Sequence, residues 1–199
     1  MIAVIDYGMG NLRSVQKAFE FLGYAAEITD DPQRAAAASH LVLPGDAAFG
    51  DAIRNLNDSG WSETILQNVQ AGKPFLGICV GLQLMFSESE EMGNHKGLDL
   101  LPGRVIRFPS TDRVPQIGWN QIHIRRPCPL LEDVPDESFY YFVHSYYVDA
   151  AASDSIATTD YSLDYTSIAG HDGVYGVQFH PEKSQQHGLK ILDNFARMD

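Results

Sequence analysis

Cys79 sits in Gly77-Ile78-Cys79-Val80-Gly81, at the end of a short apolar run and just ahead of helical periodicity. A nucleophile at such a strand-to-helix junction occupies a strained turn, so its neighbours must be small. A helix starting just after it would aim free N–H groups and its positive dipole end at the sulfur and favour the thiolate, the form that attacks a carbonyl. A buried structural cysteine at a strand end fits the same pentapeptide, so the choice rests on a partner base. Gly176-Val177-Gln178-Phe179-His180-Pro181-Glu182 offers one: an apolar strand ending in a histidine, with a carboxylate two positions on and a proline fixing the turn. His180 could take the thiol proton and return it to a leaving amine, while Glu182 could hold the ring tautomer and stabilise the imidazolium. A lone histidine after a strand is more often structural. An elbow cysteine and a strand-terminal His-x-Glu in one small chain nevertheless favour a Cys79-His180-Glu182 triad.

Other chemistries fail on spacing. His180-Pro181-Glu182 contains the H-x-E of zinc nucleobase deaminases, but the required P-C-x-x-C is absent and both cysteines precede it, so no metal is expected. Gly8-Met9-Gly10 follows an apolar run, yet the third glycine position of a dinucleotide fingerprint is Arg13, and no P-loop sequence occurs. That turn is read as structural or as a contact surface, and no cofactor is expected. Cys128, between Pro127 and Pro129 with no helix start to activate it, is expected to be inert.

What must position these residues is an alternation of short apolar runs and helical periodicity, the pattern of a parallel sheet wrapped by helices. Strands are expected at Ile2 to Ile5, Ala25 to Ile28, His40 to Leu43 and Pro74 to Ile78, the last running directly into Cys79. Leu12, Val15, Ala18, Phe19 and Leu22 recur at helical spacing, with Asn11 as N-cap and Gly23 as the stop. Further helices are expected from about Ala48 to Asn57 and from Trp61 to Ala71. From Asp99 the texture changes to short strand-like pieces: Arg104 to Phe108, Gln121 to Ile124, Phe139 to Val143, Ile156 to Thr159 and Val174 to Phe179. These read as an antiparallel or mixed extension of the same sheet, closed by a C-terminal helix with Leu189, Leu192, Phe195 and Ala196 on one face.

The 199 residues, 44% apolar and 20% charged, suit one domain spanning 1–199, whose core would bury about 70% of the unfolded chain's surface. With 14 Lys plus Arg against 26 Asp plus Glu, the net charge is -12. That balance argues against nucleic acid and against a membrane surface, since both call for clustered cations. Two cysteines cannot make the disulfide framework of a small secreted domain, so a reducing compartment, the cytoplasm, is expected. The opening MIAVIDYGMGN has no basic residue ahead of its short apolar run and reads as neither signal nor anchor.

On these motifs the sequence resembles the class I, or triad, glutamine amidotransferases, and most closely the branch that feeds ammonia to a cyclase making imidazole glycerol phosphate. The resemblance spans nearly the whole chain, through IDYGMGNLRSV, LPGDAAFGDA, FLGICVGLQLMFSESEE, KGLDLLPGRV, PQIGWN, YYFVHSYYV and GVQFHPEKSQ. The elbow and HPE motifs carry the superfamily; GMGN, PQIGWN and YFVHSY carry the branch. It implies an α/β, flavodoxin-like fold, with a mostly parallel central sheet flanked by helices and a mixed or antiparallel extension from the second half. It implies hydrolysis of glutamine to glutamate and ammonia through a thioester on Cys79. The ammonia passes to a (βα)8-barrel cyclase subunit, held as a heterodimer, which makes imidazole glycerol phosphate and aminoimidazole carboxamide ribotide in histidine biosynthesis.

Family glutamine contacts carry over to Gln83, Glu91 and the backbone around Ser145 and Tyr146. The oxyanion hole carries over to the backbone N–H groups of Asp46 and Val80. Asn11, Trp119, Tyr141 and Lys183 match positions at or near the cyclase interface, with ordinary core packing the competing account of the two aromatics. One departure stands out: the family's Pro-Gly-x-Gly reads Pro44-Gly45-Asp46-Ala47 here. Alanine tolerates positive φ less well than glycine, and Asp46 brings a negative charge near a developing anion, so very low basal activity that depends on partner docking is expected. Three other readings compete: a glutaminase serving a different synthase, a partner-binding subunit with impaired turnover, and a cysteine peptidase with the same elbow. PQIGWN and YFVHSY weigh against the first, the intact triad against the second, and Gln83 with the HPE turn against the third.

Overall fold

The computed structural model describes residues 1–110 and 113–198. Its first half follows the expected alternation: β1 (Ile2–Ile5), α1 (Leu12–Phe21), β2 (Ala26–Thr29), α2 (Pro32–Ala36), β3 (His40–Gly45), α3 (Phe49–Asp58), α4 (Trp61–Gln70), β4 (Phe75–Cys79) and α5 (Val80–Leu84). The second half holds β5 (Phe86–Ser89), β6 (His95–Lys96), β7 (Leu101–Arg107), β8 (Gln116–Gln121), β9 (His123–Ile124), β10 (Phe139–His144), β11 (Tyr146–Ala150), β12 (Ser155–Asp160), β13 (Asp164–His171), β14 (Val174–Val177) and α6 (Gln185–Ala196).

β1, β3, β4 and β14 are buried at every position, as strands covered on both faces must be, which is why they read as unbroken apolar runs. They pair in parallel in the order β2-β1-β3-β4-β14. In such sheets ligands bind beyond the carboxyl ends of the strands. Helix α1 buries Val15, Ala18 and Phe19, and α3 buries Phe49, Ala52, Ile53 and Leu56, each at the i, i+3, i+4 spacing of an apolar stripe. Phe19 meets Phe195 of α6 with ring centroids 6.4 Å apart. On α6 the inward face is Gly188, Ile191, Leu192 and Phe195, while Leu189 and Ala196 are only partly buried.

The sheet continues from β14 through antiparallel β13, β11 and β7 to β5 and β6, with β12 and β9 attached at β13. This is the expected mixed extension, with one correction. β8 and β10 do not join it; they form a separate antiparallel ribbon in which Trp119 lies opposite Tyr141. The expected strand Gln121 to Ile124 takes in β9 and only the last residue of β8, and β5, β6, β11 and β13 have no expected counterpart. Asn11 occupies the N-cap position of α1 but makes no side-chain cap bond; its amide has another partner, described below. Among the described residues no helix is long and apolar enough to cross a membrane.

Candidate active site

Cys79 is the last residue of β4 and stands immediately before α5, with φ 56° and ψ -110°. A non-glycine residue in that region costs about 1–3 kcal/mol, a strain that must be over-determined by its surroundings. Packing supplies this: a Cβ on Gly81 would run into the Leu43 carbonyl, and one on Gly77 would meet the backbone of Gly81. The elbow therefore needs glycine on both sides for space. α5 is a single short turn of five residues.

β14 lies beside β4 in register, Gly176 opposite Gly77 and Val177 opposite Ile78, so the chain leaving β14 arrives next to the elbow. His180 follows, and a 3-10 turn over Pro181–Lys183 folds Glu182 back onto it. Its backbone is pinned: His180 N–H donates to the Tyr141 carbonyl at 2.9 Å. The Ser184 hydroxyl donates to the His180 carbonyl at 2.6 Å and accepts from Tyr141 N–H at 3.0 Å. Imidazole Nδ1 is 2.8 Å from Glu182 Oε1, and both side chains are withdrawn from solvent, 4% and 0% exposed. Burial opposes protonation of the ring, but hydrogen bonds to Cys79 and Glu182 and the charges of both outweigh it and push the His180 pKa up to about 10. The site thus favours the protonated ring. Sulfur, ring and carboxylate come together although Cys79 and His180 are 101 positions apart in the chain.

Asn11 Nδ2 donates to the same Glu182 Oε1 at 3.2 Å. That bond is what replaces the expected cap, and it ties the turn after β1 to the carboxylate. Glu182 Oε2 is buried and has no hydrogen-bond partner among the described residues.

A cavity of about 340 Å³ opens over the sulfur, and its walls include Asp46, Val80, Gln83, Glu91, Ser145, Tyr146, His180 and Lys183. Of the expected interface positions, Trp119 is 47% exposed, which rules out core packing for it. Its ring meets that of Tyr141 edge-on with centroids 6.2 Å apart. Glu91 Oε2 accepts from Phe49 N–H at 2.8 Å, so this carboxylate also satisfies the start of α3. Gln83 Nε2 donates to the Tyr146 carbonyl at 2.9 Å and to Gln178 Oε1 at 3.2 Å.

The two departures in Pro44-Gly45-Asp46-Ala47 find physical accounts. Neither Asp46 nor Ala47 has positive φ, so alanine fits the backbone in this state. Asp46 Oδ1 accepts from Gly10 N–H at 2.9 Å, which directs its charge to the turn after β1. Cys128 also differs from expectation in one respect. It does precede a helical turn, the 3-10 segment Pro129–Leu131, whose N–H groups favour its thiolate, but burial dominates and pushes the thiol up.

Sequence reasoning missed three supports of this site. Gln178 could have been found, since it lies two residues before His180 on an extended run and so projects to the same side. The Ser184 brace and the buried ring of His144 carry no local signal. His144 Nδ1 is 2.8 Å from the Tyr146 carbonyl and Nε2 is 3.2 Å from the Tyr165 hydroxyl. Burial lowers its pKa to about 4, so the ring is neutral, its Nδ1–H donating to that carbonyl.

The family described as glutamine amidotransferase class-I matches residues 3–198. The chain is 53% identical over 206 residues to the imidazole glycerol phosphate synthase subunit HisH of Syntrophotalea carbinolica, with the full length of both covered. It is 50% identical over 198 residues to the subunit of the same name from Desulfitobacterium hafniense, covering 99% of this chain and 94% of that one. Among solved structures, a glutamine amidotransferase matches with a TM-score of 0.78 at 16% identity, over 98% of this chain and 100% of its own. A chain of PurLQS from Thermotoga maritima matches with a TM-score of 0.76 at 18% identity, over 98% and 96%. At such identities the likeness to the solved structures is one of fold.

Proposed function

Because the chain belongs to the class I glutamine amidotransferase family, we propose that it is the glutaminase subunit of an imidazole glycerol phosphate synthase, with Cys79, His180 and Glu182 as its triad. One observation carries the reading: a strained elbow sulfur faces an imidazole whose other nitrogen is 2.8 Å from a buried carboxylate. The relatives named above, 50% and 53% identical along the chain, supply the branch.

In this mechanism the resting pair is thiolate and imidazolium. The Cys79 sulfur attacks the carboxamide carbon of glutamine, and the carbonyl oxygen becomes an anion held by the N–H groups of Val80 and Asp46. The imidazolium gives its proton to the departing nitrogen, so ammonia leaves and a thioester remains. The now neutral ring takes a proton from water as the hydroxide adds to the thioester. Collapse expels the thiolate, releases glutamate and restores the starting charges. Glu182 holds Nδ1–H throughout and stabilises the imidazolium. Gln83, Glu91 and the backbone of Ser145 and Tyr146 hold the substrate; with both Gln83 N–H groups already spent on carbonyls, only its oxygen is left for glutamine.

Ammonia then passes to a (βα)8-barrel cyclase bound as a heterodimer on the face carrying Asn11, Trp119, Tyr141 and Lys183. Support for that face comes from the ribbon, where Ile117, Trp119 and Phe139 are 63%, 47% and 51% exposed, an apolar cluster of the kind that marks interaction surfaces. In this reading residues 1–199 work as one domain, in the cytoplasm. The Asp46 N–H is the donor that docking completes, and losing one such donor costs about 100-fold to 1000-fold in rate. The test is glutamate release by the subunit alone and with a cyclase of this class and its ribotide substrate. Stimulation by the complex is expected; equal rates in the two samples refute the coupling.

A further inference from the structure

Gln178 is fully buried, and its Nε2 lies 3.9 Å from Cys79 Sγ. It reaches the sulfur from the same strand end as His180, and the sulfur also contacts the Val143 carbonyl at 4.0 Å. The direction of its amide is fixed by a chain of bonds that starts at an unambiguous acceptor. The Tyr146 carbonyl accepts from Gln83 Nε2 at 2.9 Å, and the same nitrogen donates to Gln178 Oε1 at 3.2 Å. Gln83 must turn its nitrogen to the carbonyl, Gln178 must turn its oxygen to Gln83, and only N–H groups remain for the sulfur. Turning Gln178 over would set donor against donor at Gln83 and oxygen lone pairs against the sulfur. A neutral N–H donor aimed at a buried atom that carries negative charge gains strength from the low local dielectric.

Resting on the reading of Cys79 as the nucleophile, we propose that Gln178 is a positioning residue for the reaction: its amide holds the sulfur toward His180 and stabilises the thiolate, with Gln83 and the Tyr146 carbonyl setting its direction. His180 exchanges its proton during turnover. Gln178 keeps both of its own and stays in place through attack, thioester formation and hydrolysis.

Besides His180, the titratable groups sensing the sulfur are Tyr7, just after β1, and Tyr165 on β13, while Asp46, Glu91 and Lys183 line the same cavity. Gln178→Met and Gln178→Glu leave all of them in place. In a Cys128→Ser background, iodoacetamide alkylation followed against pH reads the Cys79 thiolate alone. Gln178→Met is expected to raise the alkylation midpoint by about one pH unit, a tenfold smaller thiolate fraction below it, and Gln178→Glu to raise it further. Under cyclase stimulation, kcat of Gln178→Met should fall about tenfold with glutamine KM within about twofold of the parent. Thermal melting confirms that each variant is folded. In the unmutated protein, the Gln178 side-chain amide resonances should titrate with the same midpoint as alkylation, a readout that survives failure of either variant to fold. Unchanged midpoints in folded variants, or amide resonances indifferent to that titration, overturn the proposal. Turnover of the parent complex is measured separately, so a protein that never hydrolyses glutamine removes the functional reading while the alkylation midpoints still decide the role of Gln178.

Discussion

Glu182 receives two donors on one oxygen, from His180 and Asn11, and leaves its other oxygen buried and without a partner among the described residues. Its value to the site is therefore charge and direction, and Glu182→Gln removes the first while preserving shape. Turnover in the cyclase complex should fall by roughly 100-fold to 10,000-fold, because an amide neither stabilises the imidazolium nor enforces the Nδ1–H tautomer. The same variant should alkylate at Cys79 with a higher pH midpoint; retention of full turnover contradicts the assigned role. At this scale the sequence was informative where chemistry is local. Gly-x-Cys-x-Gly and His-Pro-Glu each hold their partners within five residues. The Asn11 bond was not legible, since it joins residues 171 positions apart and Asn11 had an ordinary local use as a helix cap. Asp46 looked adverse in the sequence because nothing there indicated Gly10 N–H as its partner.

The elbow works as an element because β3, β4 and α5 approach too closely for any side chain at Gly81. Gly81→Ala should force the turn away from the Leu43 carbonyl and destabilise the protein by about 1–3 kcal/mol in urea unfolding, with glutaminase activity lost beyond what instability explains. Wild-type stability and turnover in that variant contradict the packing account. The parallel strands were readable because burial on both faces makes each one a continuous apolar run. The second half was not, for identifiable reasons. Only Ser145 separates β10 from β11, so Phe139 to Val148 looks like one strand in sequence. In the structure the chain changes sheets there, which is what sets Ser145 and Tyr146 in the cavity wall. β13 mixes threonine and serine into buried positions, and β6 has two residues, so neither shows a period.

For the whole molecule, buried histidines couple stability to pH in opposite directions. The folded pKa of His144, about 4, lies below the ordinary 6.5, so the unfolded chain takes up the extra proton first and stability falls as pH drops from about 6.5 to about 4. His144→Gln should flatten that part of the profile relative to wild type, by up to about 3 kcal/mol across the window; parallel profiles contradict it. The folded pKa of His180, about 10, lies above 6.5, so its contribution is complete below pH 6.5 and is lost as pH rises through about 10. Docking is the other property of the whole surface. Trp119, half exposed on a ribbon outside the main sheet, should behave as an interface anchor. Trp119→Ala is expected to weaken cyclase binding by about 10-fold or more in calorimetry, with little change in melting temperature; unaltered affinity assigns the face another use. The central claim is that the Cys79 sulfur itself attacks glutamine, and the most direct measurement is to trap the intermediate. Turnover of labelled glutamine in the cyclase complex is quenched with acid, and the label is mapped by peptide mass spectrometry. A glutamyl thioester on Cys79, absent from Cys79→Ala together with all stimulated glutamate release, is predicted; label on another residue, or stimulated release from Cys79→Ala, contradicts the account.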